Sequence, residues 1–288
     1  MDQKEKRMSV RIIIDSTADT TPEIRERCTV VPLSIFFGET EYVDGVTINH
    51  REFYEKLIES DVMPTTSQAS PDAFLQIFRE TVEAGDQAVV ITVASRLSGT
   101  FQSASIAAMD FEEDIFVVDS KNVAIATGIL AEYALRLKDQ GMSARQIASE
   151  LEKERENICI IAMLDTLEFL KRGGRISKTV AFAGELLSIK PVVTVRDGEI
   201  IILGKARGSR QANNLLVKEI QNAGGVDFSL PLMLGYTGIS DALLQKYIQD
   251  SASLWEGNVE KMNSAIIGSV IGTHAGPGAI AVAFFKNK

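Results

Sequence analysis

The feature that restricts the fold most is an apolar stretch near the end of the chain, residues 265–285 (AIIGSVIGTHAGPGAIAVAFF). It carries no formal charge and one titratable side chain, His274, and its length is close to the roughly 20 residues with which a helix crosses a bilayer. A membrane helix is nevertheless excluded, because repeated helix breaks would leave backbone groups unpaired in lipid. These breaks are Gly268, Gly272, Gly276, Pro277 and Gly278. We therefore predict a strand, a glycine-rich turn and a second strand, with the turn carrying His274 into apolar surroundings.

Composition and charge narrow the class of protein. The 288 residues, of which 45% are hydrophobic, suffice for one large or two medium domains. The net charge of −9 argues against nucleic-acid binding, which depends on Lys and Arg side chains that neutralise phosphates. Cys28 and Cys159 form no CxxC pair, which fits a reducing compartment. The opening residues lack the apolar run of a secretion signal, so we expect a cytoplasmic protein.

The first half of the chain alternates strand and helix patterns. Residues 11–14 (RIII) predict a buried strand, and the continuous apolar runs at 88–93 and 115–118 are typical of parallel strands that are covered on both faces. Each of these strands is followed by a turn that bears hydroxyl groups, at 15–19, 95–100 and 119–120. Because loops beyond the carboxyl ends of parallel strands lie along one edge of the sheet, we expect these turns to face one crevice that holds a ligand.

Shorter elements lie between the first two of these runs. We predict strands over 30–37 and 40–43, and a helix that begins with a capping box at Asn49 and Glu52. Residues 63–71 (MPTTSQASP) are predicted as a loop that ends where Ser70 caps the next helix.

From about residue 158 the pattern changes. An apolar strand at 158–164 and a short helix broken by Gly173 and Gly174 are followed by a helical pattern over 181–189. A hairpin then joins 192–195 to 200–203 around Asp197 and Gly198. Since a hairpin belongs to a mixed or antiparallel sheet, we predict two α/β domains, the first (1–158) with a mainly parallel sheet and the second (159–288) with a mixed sheet.

Motifs of common enzymes and cofactor sites are missing from the sequence. There is no GxSxG, HExxH or GxxxxGK[ST] pattern. GPGAIA at 276–281 matches a dinucleotide fingerprint only loosely, and the chain after it is too short for a βαβ unit. Asp15, Asp19 and Asp119 could hold Mg²⁺, but aspartates at strand ends more often cap turns. We therefore expect no cofactor and no metal site.

Two loops and one histidine carry the polar chemistry. Ser98, Gly99 and Thr100 open a helix, whose free amides and hydroxyl groups suit a carboxylate or phosphate, although Ser98 could simply cap that helix. Thr66 and Ser67 lie in the loop at 63–71. His274 is either a hydrogen-bonded core histidine or the partner of an acid at the end of an apolar slot.

Seven motifs, in order along nearly the whole chain, resemble those of the DegV family, the bacterial fatty-acid-binding proteins also called FakB. They are IDSTAD at 14–19, PTTSQ at 64–68, SRLSGTFQSA at 95–104, VVDS at 117–120, LKRGGRIS at 170–177, GKARGSR at 204–210 and IGTHAGPGAIA at 271–281. The resemblance implies two α/β domains with an acyl chain buried in a tunnel and its carboxylate held at the domain interface.

The resemblance also implies roles for individual residues. Thr66 and Ser98 would donate hydrogen bonds to the carboxylate, and His274 would complete this polar end. Supporting positions on the same loops are Ser67, Gly99, Thr100 and Gly276. The sequence has Ala275 where relatives often carry a β-branched residue, which puts the lining near the headgroup in question.

A partner follows from the resemblance as well. DegV-type carriers present the fatty acid to a separate kinase subunit, which forms the acyl phosphate, so this chain itself is expected to have no catalytic residue. Two short basic runs are either solvated faces or a surface for docking and phosphate steering, by resemblance through Arg172 and Arg207. The runs are Lys171, Arg172, Arg175 and Lys178, then Lys205, Arg207 and Arg210. Transient contact with a membrane surface would serve lipid exchange.

An enzyme is the competing hypothesis. The expected fold is similar to the substrate-binding part of dihydroxyacetone kinases, in which a histidine engages a small carbonyl compound, so His274 could act as a nucleophile. A small-carbonyl kinase subunit needs a small polar cavity, whereas a lipid carrier needs a long apolar one. The apolar flanks of His274 favour the carrier.

Overall fold

The structure is a computed structural model, which describes residues 9–176 and 189–288. The helical pattern at 181–189 lies outside these residues, apart from Ile189, which begins a strand. Lys178 of the first basic run lies outside them as well.

The described residues form thirteen strands and eleven α-helices. The strands are β1 (Val10–Asp15), β2 (Thr29–Val31), β3 (Ser34–Phe37), β4 (Thr40–Val43), β5 (Thr65–Ser67), β6 (Gln87–Thr92), β7 (Ile115–Asp119), β8 (Ile158–Met163), β9 (Ile189–Arg196), β10 (Glu199–Arg207), β11 (Leu232–Tyr236), β12 (Asn263–Ile266) and β13 (Ile280–Phe285). The helices are α1 (Pro22–Glu26), α2 (His50–Glu59), α3 (Pro71–Glu83), α4 (Thr100–Ala108), α5 (Ile125–Asp139), α6 (Ala144–Glu154), α7 (Glu168–Arg172), α8 (Gly208–Asn222), α9 (Ala242–Asp250), α10 (Ala252–Trp255) and α11 (Ser269–Ala275).

The first sheet is parallel and has the order β2-β1-β6-β7. Its strands are covered on both faces, since Ile12 and Ile14 pack with α5 and α6, whereas Ile13 packs with α3 and α4. The apolar runs that predicted these strands are therefore explained by burial on both sides. The predicted parallel sheet of the first half is confirmed.

The second sheet is mixed and has the order β10-β9-β8-β13-β11-β12. Only the β11–β12 pair among its described strands is parallel. The predicted hairpin joins β9 to β10 through Asp197 and Gly198, whose φ angles of 51° and 75° are typical of a type I′ turn. The second half thus has the mixed sheet that the sequence predicts.

A small third sheet, of order β4-β3-β5, was not predicted. The prediction of a loop at 63–71 is wrong for the centre of that segment, where β5 pairs with β3 through Thr66 and Ile35. The single strand expected at 30–37 is also divided, and β2 and β3 join different sheets on either side of Pro32. Three-residue strands without an apolar alternation leave little periodic signal in a sequence.

The apolar stretch at 265–285 differs from the prediction in its middle. Its two strands exist, but α11 replaces the glycine-rich turn, and β11 lies between β12 and β13 in the sheet. Gly272 serves close packing rather than a turn, because a Cβ atom there would lie 2.5 Å from Tyr54 Oη. None of the helices within residues 9–176 and 189–288 has both the length and the apolarity that crossing a bilayer requires.

Helix α5 connects the two sheets. It packs on β1 and β6 of the first sheet and on β8, β11 and β13 of the second. Along the chain, β7 is the last strand of the first sheet and β8 is the first strand of the second. The boundary at residue 158, which separates domains 1–158 and 159–288, stays a prediction.

Candidate functional site

A cavity of about 380 Å³ lies between the two sheets, within the size range of small-molecule sites. Most of its lining is apolar and comes from both halves of the chain. The first half contributes Leu33, Val93, Val123 and Ala124, and the second contributes Ile160, Ala162, Val193, Val195, Ile271 and Ala281. Of the three turns expected to face one crevice, 15–19 and 95–100 contribute Thr17, Leu97, Ser98 and Gly99 to the lining, whereas 119–120 contributes no lining residue.

Hydrogen bonds join the carboxyl ends of the strands in the first sheet. Asp15 Oδ1 accepts from Thr17 Oγ1 at 2.6 Å, and Asp15 Oδ2 accepts from the Val93 amide at 2.8 Å. Ser95 Oγ donates to Asp119 Oδ2 at 2.6 Å. The turns at 15–19, 95–100 and 119–120 are thus joined along one edge of the sheet, as the parallel topology predicts. Within residues 9–176 and 189–288, no cluster of three or more His, Cys, Asp or Glu side chains is arranged to hold a metal ion.

Thr66, Ser98 and His274 all line the cavity. Thr66 Oγ1 and His274 Nε2 are 3.0 Å apart and share a hydrogen bond, although the two residues are far apart in sequence. Strand β5 supplies the threonine and α11 supplies the histidine. The structure therefore places the three predicted headgroup residues on one cavity.

The loop that carries Ser98 is arranged differently from a simple helix cap. Helix α4 begins at Thr100 with Gly99 at the N-cap position. Ser98 Oγ lies 2.9 Å from Thr100 Oγ1 and accepts from the Thr100 amide at 3.3 Å. Ser98 and Gly99 face the cavity, whereas Thr100 is buried behind Ser98. The serine hydroxyl is thus held at the cavity wall by the threonine behind it.

The other two supporting positions, Ser67 and Gly276, lie on different elements. Ser67 follows Thr66 on β5 and lines the cavity. Gly276 ends α11, and a Cβ atom there would lie 2.3 Å from the Phe169 ring. Gln68 also lines the cavity and donates from Nε2 to Ser103 Oγ at 2.9 Å. Gln68 belongs to the PTTSQ motif, but its place at the site was not predicted from the sequence.

His274 is a neutral imidazole at neutral pH. Burial lowers its pKa to about 4, and the positive charge of Arg175 acts in the same direction. A neutral ring has one donor and one acceptor nitrogen. Nδ1 has no hydrogen-bond partner among the described residues, and it lies against Gly173, where a Cβ atom would be only 2.2 Å away. A neutral ring protonated at Nε2 donates to Thr66 Oγ1 and leaves the threonine hydroxyl free to donate to a carboxylate.

Arg175 is a cavity-lining residue that was predicted only as a member of a basic run. Its Nε donates to the Leu97 carbonyl at 3.1 Å, and its Nη1 donates to the Gly173 carbonyl at 2.6 Å. The guanidinium therefore connects the turn before α4 to the turn after α7. Its position directly after the glycine pair is the one signal in the sequence that could have suggested this role.

A buried acidic cluster anchors the other end of α11. Asp19 Oδ1 accepts from the Gly268 amide at 2.8 Å, directly before the helix begins. Asp44 and His50 lie beside it, and burial raises the pKa of both Asp19 and Asp44 while it lowers the pKa of His50. His50 is thus part of this anchor and does not line the cavity.

We expect replacement of Asp44 by asparagine to stabilise the protein at neutral pH. A carboxyl whose pKa is raised by folding binds its proton more tightly in the folded state. The free energy of unfolding therefore falls as the pH rises from near the ordinary value of 3.8 through the raised pKa of Asp44. The asparagine variant avoids this loss, which is roughly 1.4 kcal/mol for each unit of the shift.

Urea unfolding at pH 7.5, 5.5 and 4.5 measures this difference, which should shrink as the pH falls. The exposed Asp61 provides the control, as Asp61→Asn removes the same charge outside the cluster. An Asp44→Asn variant that is destabilised equally at each pH would show that the carboxylate instead makes necessary contacts.

The basic residues take different positions around the cavity. Arg172 is exposed, pairs with Glu168 at 2.6 Å and lines a second pocket of about 340 Å³, which Thr66 and His274 also line. Arg207 is exposed at the N-cap position of α8 and does not line the cavity. Of the two predicted partner-facing arginines, the structure therefore places only Arg172 beside the polar end.

Solved structures with a similar fold span nearly the whole chain. A structure that describes fatty acid binding by a DegV family protein from Thermus thermophilus has a TM-score of 0.85 and 32% identity, and covers 96% of this chain and all of that one. A stearic acid-binding protein from Eubacterium ventriosum has a TM-score of 0.85 at 28% identity over 96% of this chain and 98% of its own. DegV of Bacillus subtilis, described as a fatty acid binding protein, has a TM-score of 0.80 at 28% identity and covers 97% of this chain and all of its own.

Sequence comparisons agree with these likenesses. DegV domain-containing proteins of Caldanaerobacter subterraneus subsp. tengcongensis and Deinococcus radiodurans are each 34% identical to this chain. The alignments cover 97% and 96% of this chain and 99% and 98% of those proteins, respectively. The family profile described as "Uncharacterised protein, DegV family" matches residues 9–287. The chain belongs to the DegV family.

Proposed function

We propose that this protein binds a long-chain fatty acid, with the acyl chain in the cavity and the carboxylate beside Thr66, Ser98 and His274. The observation that carries the proposal is an apolar cavity with hydroxyl groups and a neutral imidazole on its wall. Related structures of the family are described as binding fatty acids, which supports the same ligand class here.

The two parts of the ligand would contribute differently to binding. Each buried methylene contributes about 0.8 kcal/mol, so about ten buried carbons supply several kcal/mol after the ordering costs of association. A carboxylate resists the loss of water unless donors meet it. The hydroxyl groups of Thr66 and Ser98 are suitable donors, and the His274 ring, which shares a hydrogen bond with Thr66, orients the threonine hydroxyl. Affinity would come from the acyl chain of the ligand, and its orientation from the carboxylate.

The cavity lining weighs against a subunit that binds a small carbonyl compound. Such a substrate would leave the apolar surfaces around Ile160, Val193 and Ile271 without a partner. An acyl chain would cover them, so the lining favours the lipid carrier over the carbonyl kinase.

The proposal includes a partner. The carrier would present the carboxylate to a separate fatty acid kinase subunit, which forms the acyl phosphate and supplies the nucleotide site, while this chain performs no chemistry. Support comes from the resemblance to FakB-type carriers and from the exposed Arg172 in the second pocket, beside Thr66 and His274. The protein would work in the cytoplasm, bind no nucleic acid and contact a membrane surface transiently for lipid exchange.

Native mass spectrometry of the purified protein tests the ligand class. We expect fatty acid at a near-stoichiometric amount, because a buried apolar ligand dissociates little during purification. Recovery of the protein without lipid, combined with no binding of added long-chain fatty acid, would contradict the proposal.

Replacing Arg172 by alanine should leave fatty acid binding unchanged and slow acyl-phosphate formation by the cognate kinase several-fold, since surface charges mainly set association rates. Arg51→Ala is a matched control, as Arg51 is also an exposed arginine paired with a glutamate one helical turn away. Equal turnover by the Arg172 variant and the wild type would count against a docking role.

A further inference from the structure

Helix α11 carries His274 one residue before its end, and it is too short to hold its own position. It has seven residues, whereas isolated helices shorter than about 12 residues are marginal in water. Its place relative to Thr66 therefore depends on contacts with the rest of the protein. The residues directly before the helix, Ile267 and Gly268, make two of these contacts through their backbone groups.

Tyr54 holds the point at which the chain enters this helix. Its side chain is fully buried on α2, and Oη donates to the Ile267 carbonyl at 2.7 Å. Burial raises the pKa of Tyr54 well above its ordinary value of 10.0, so the hydroxyl group stays protonated and remains a donor. Asp19 accepts from the next amide, that of Gly268, at 2.8 Å. Two consecutive residues are thus fixed by side chains from the first half of the chain.

The same hydroxyl group lies against the middle of α11. A Cβ atom at Gly272 would be 2.5 Å from Tyr54 Oη and 2.9 Å from the Phe53 ring, so the absence of a side chain lets the helix approach α2 closely. Gly272 precedes His274 by only two residues. A shift of α11 relative to α2 would therefore move the imidazole away from Thr66, whose Oγ1 lies 3.0 Å from Nε2.

We propose that Tyr54 is a positioning residue, whose hydroxyl group fixes α11 so that His274 lies within hydrogen-bonding distance of Thr66 and orients it toward the ligand. Tyr54 itself does not line the cavity, so it acts on a ligand only through the helix. This inference rests on the proposed function and extends the headgroup site to a residue of α2.

Tyr54→Phe removes the hydroxyl group and keeps the ring. Titration of the delipidated variant with hexadecanoic acid at pH 7.5 should show binding about tenfold weaker than in the wild type, because the Ile267 carbonyl loses its partner and α11 shifts. Tyr247→Phe is the matched control, since Tyr247 is equally buried but packs in the core beside the second sheet and does not line the cavity. This control should bind within about twofold of the wild type.

Two further measurements separate positioning from a general loss of stability. The sequence has two histidines, His50 and His274, so a His50→Gln variant assigns the imidazole nitrogen signals in NMR spectra. Tyr54→Phe should shift the His274 signals in the delipidated protein, because the hydrogen bond at Nε2 changes, whereas Tyr247→Phe should leave them in place. In a His274→Gln background, Tyr54→Phe should weaken binding by less than about twofold, since the ring through which it acts is already absent.

Each outcome decides between positioning and a purely structural role. If Tyr54→Phe weakens binding equally with and without His274, or leaves the His274 signals unchanged, the inference is overturned while the proposed function stands. If the wild type does not bind the acid, the proposed function fails and the inference fails with it. Gly272→Ala presses on the same hydroxyl group from the helix side; unchanged binding and unchanged His274 signals in that variant would also overturn the inference, even if Tyr54→Phe does not fold.

Discussion

Replacing Thr66 and Ser98 together by alanine should weaken fatty acid binding by about a hundredfold and leave the fold intact. Each hydroxyl group is expected to donate to the carboxylate, and a hydrogen bond to a charged group contributes about 1.5–3 kcal/mol. The Thr66 change also removes the partner of His274 Nε2, which lies 3.0 Å from Oγ1, so the ring loses its orientation as well.

Titration of delipidated protein with a long-chain fatty acid measures this loss. A Thr40→Ala and Ser253→Ala double variant is the matched control, because both side chains are exposed and neither lines the cavity. Undiminished retention of fatty acid by the Thr66 and Ser98 variant would remove the basis for the headgroup assignment.

Replacing Gly276 by alanine should cost about 2–6 kcal/mol of unfolding free energy and also impair ligand binding. Gly276 has φ 72° and ψ 172°, a region that is essentially restricted to glycine and costs other residues about 1–3 kcal/mol. The new Cβ atom would also lie 2.3 Å from the Phe169 ring, and such overpacking costs about 1–3 kcal/mol more. Because His274 is two residues earlier, movement of this loop would shift the imidazole.

Urea unfolding of Gly276→Ala is best compared with Gly85→Ala. Gly85 also has a positive φ, 74°, but a Cβ atom added there would have no neighbouring atom within 4 Å. The control therefore reports backbone strain without the clash. Equal losses of unfolding free energy in the two variants would show that the Phe169 ring moves aside and does not prevent a side chain at position 276.

The sequence predicted those parts of the fold in which one local pattern is sufficient. The apolar run at 88–93 and the capping box at Asn49 are both found in the structure, as β6 and as the start of α2. Such signals succeed because burial on both faces and the satisfaction of helix-end amides are decided locally.

Other parts depend on contacts that no local pattern contains. β5 is a strand only because β3 lies beside it, and α11 forms where Gly272 packs closely on Tyr54. Arg175 resembled any surface cation in the sequence, because its role depends on the Leu97 carbonyl, far away in the chain. Thr66 and His274 were named through the resemblance to DegV motifs, whereas their pairing could be seen only in three dimensions.

The burial of α5 between the two sheets has a consequence for how a ligand could enter. Its residues are almost all inaccessible, and both sheets pack on it. A hinge motion that separates the two halves would remove this helix from its contacts with one sheet and expose residues such as Ile129 and Leu130. With about 25 cal/mol lost for each Å² of apolar surface exposed, that motion is disfavoured. Exchange of a long ligand should therefore proceed by local displacement of a wall segment, while the distance between the two sheets stays fixed.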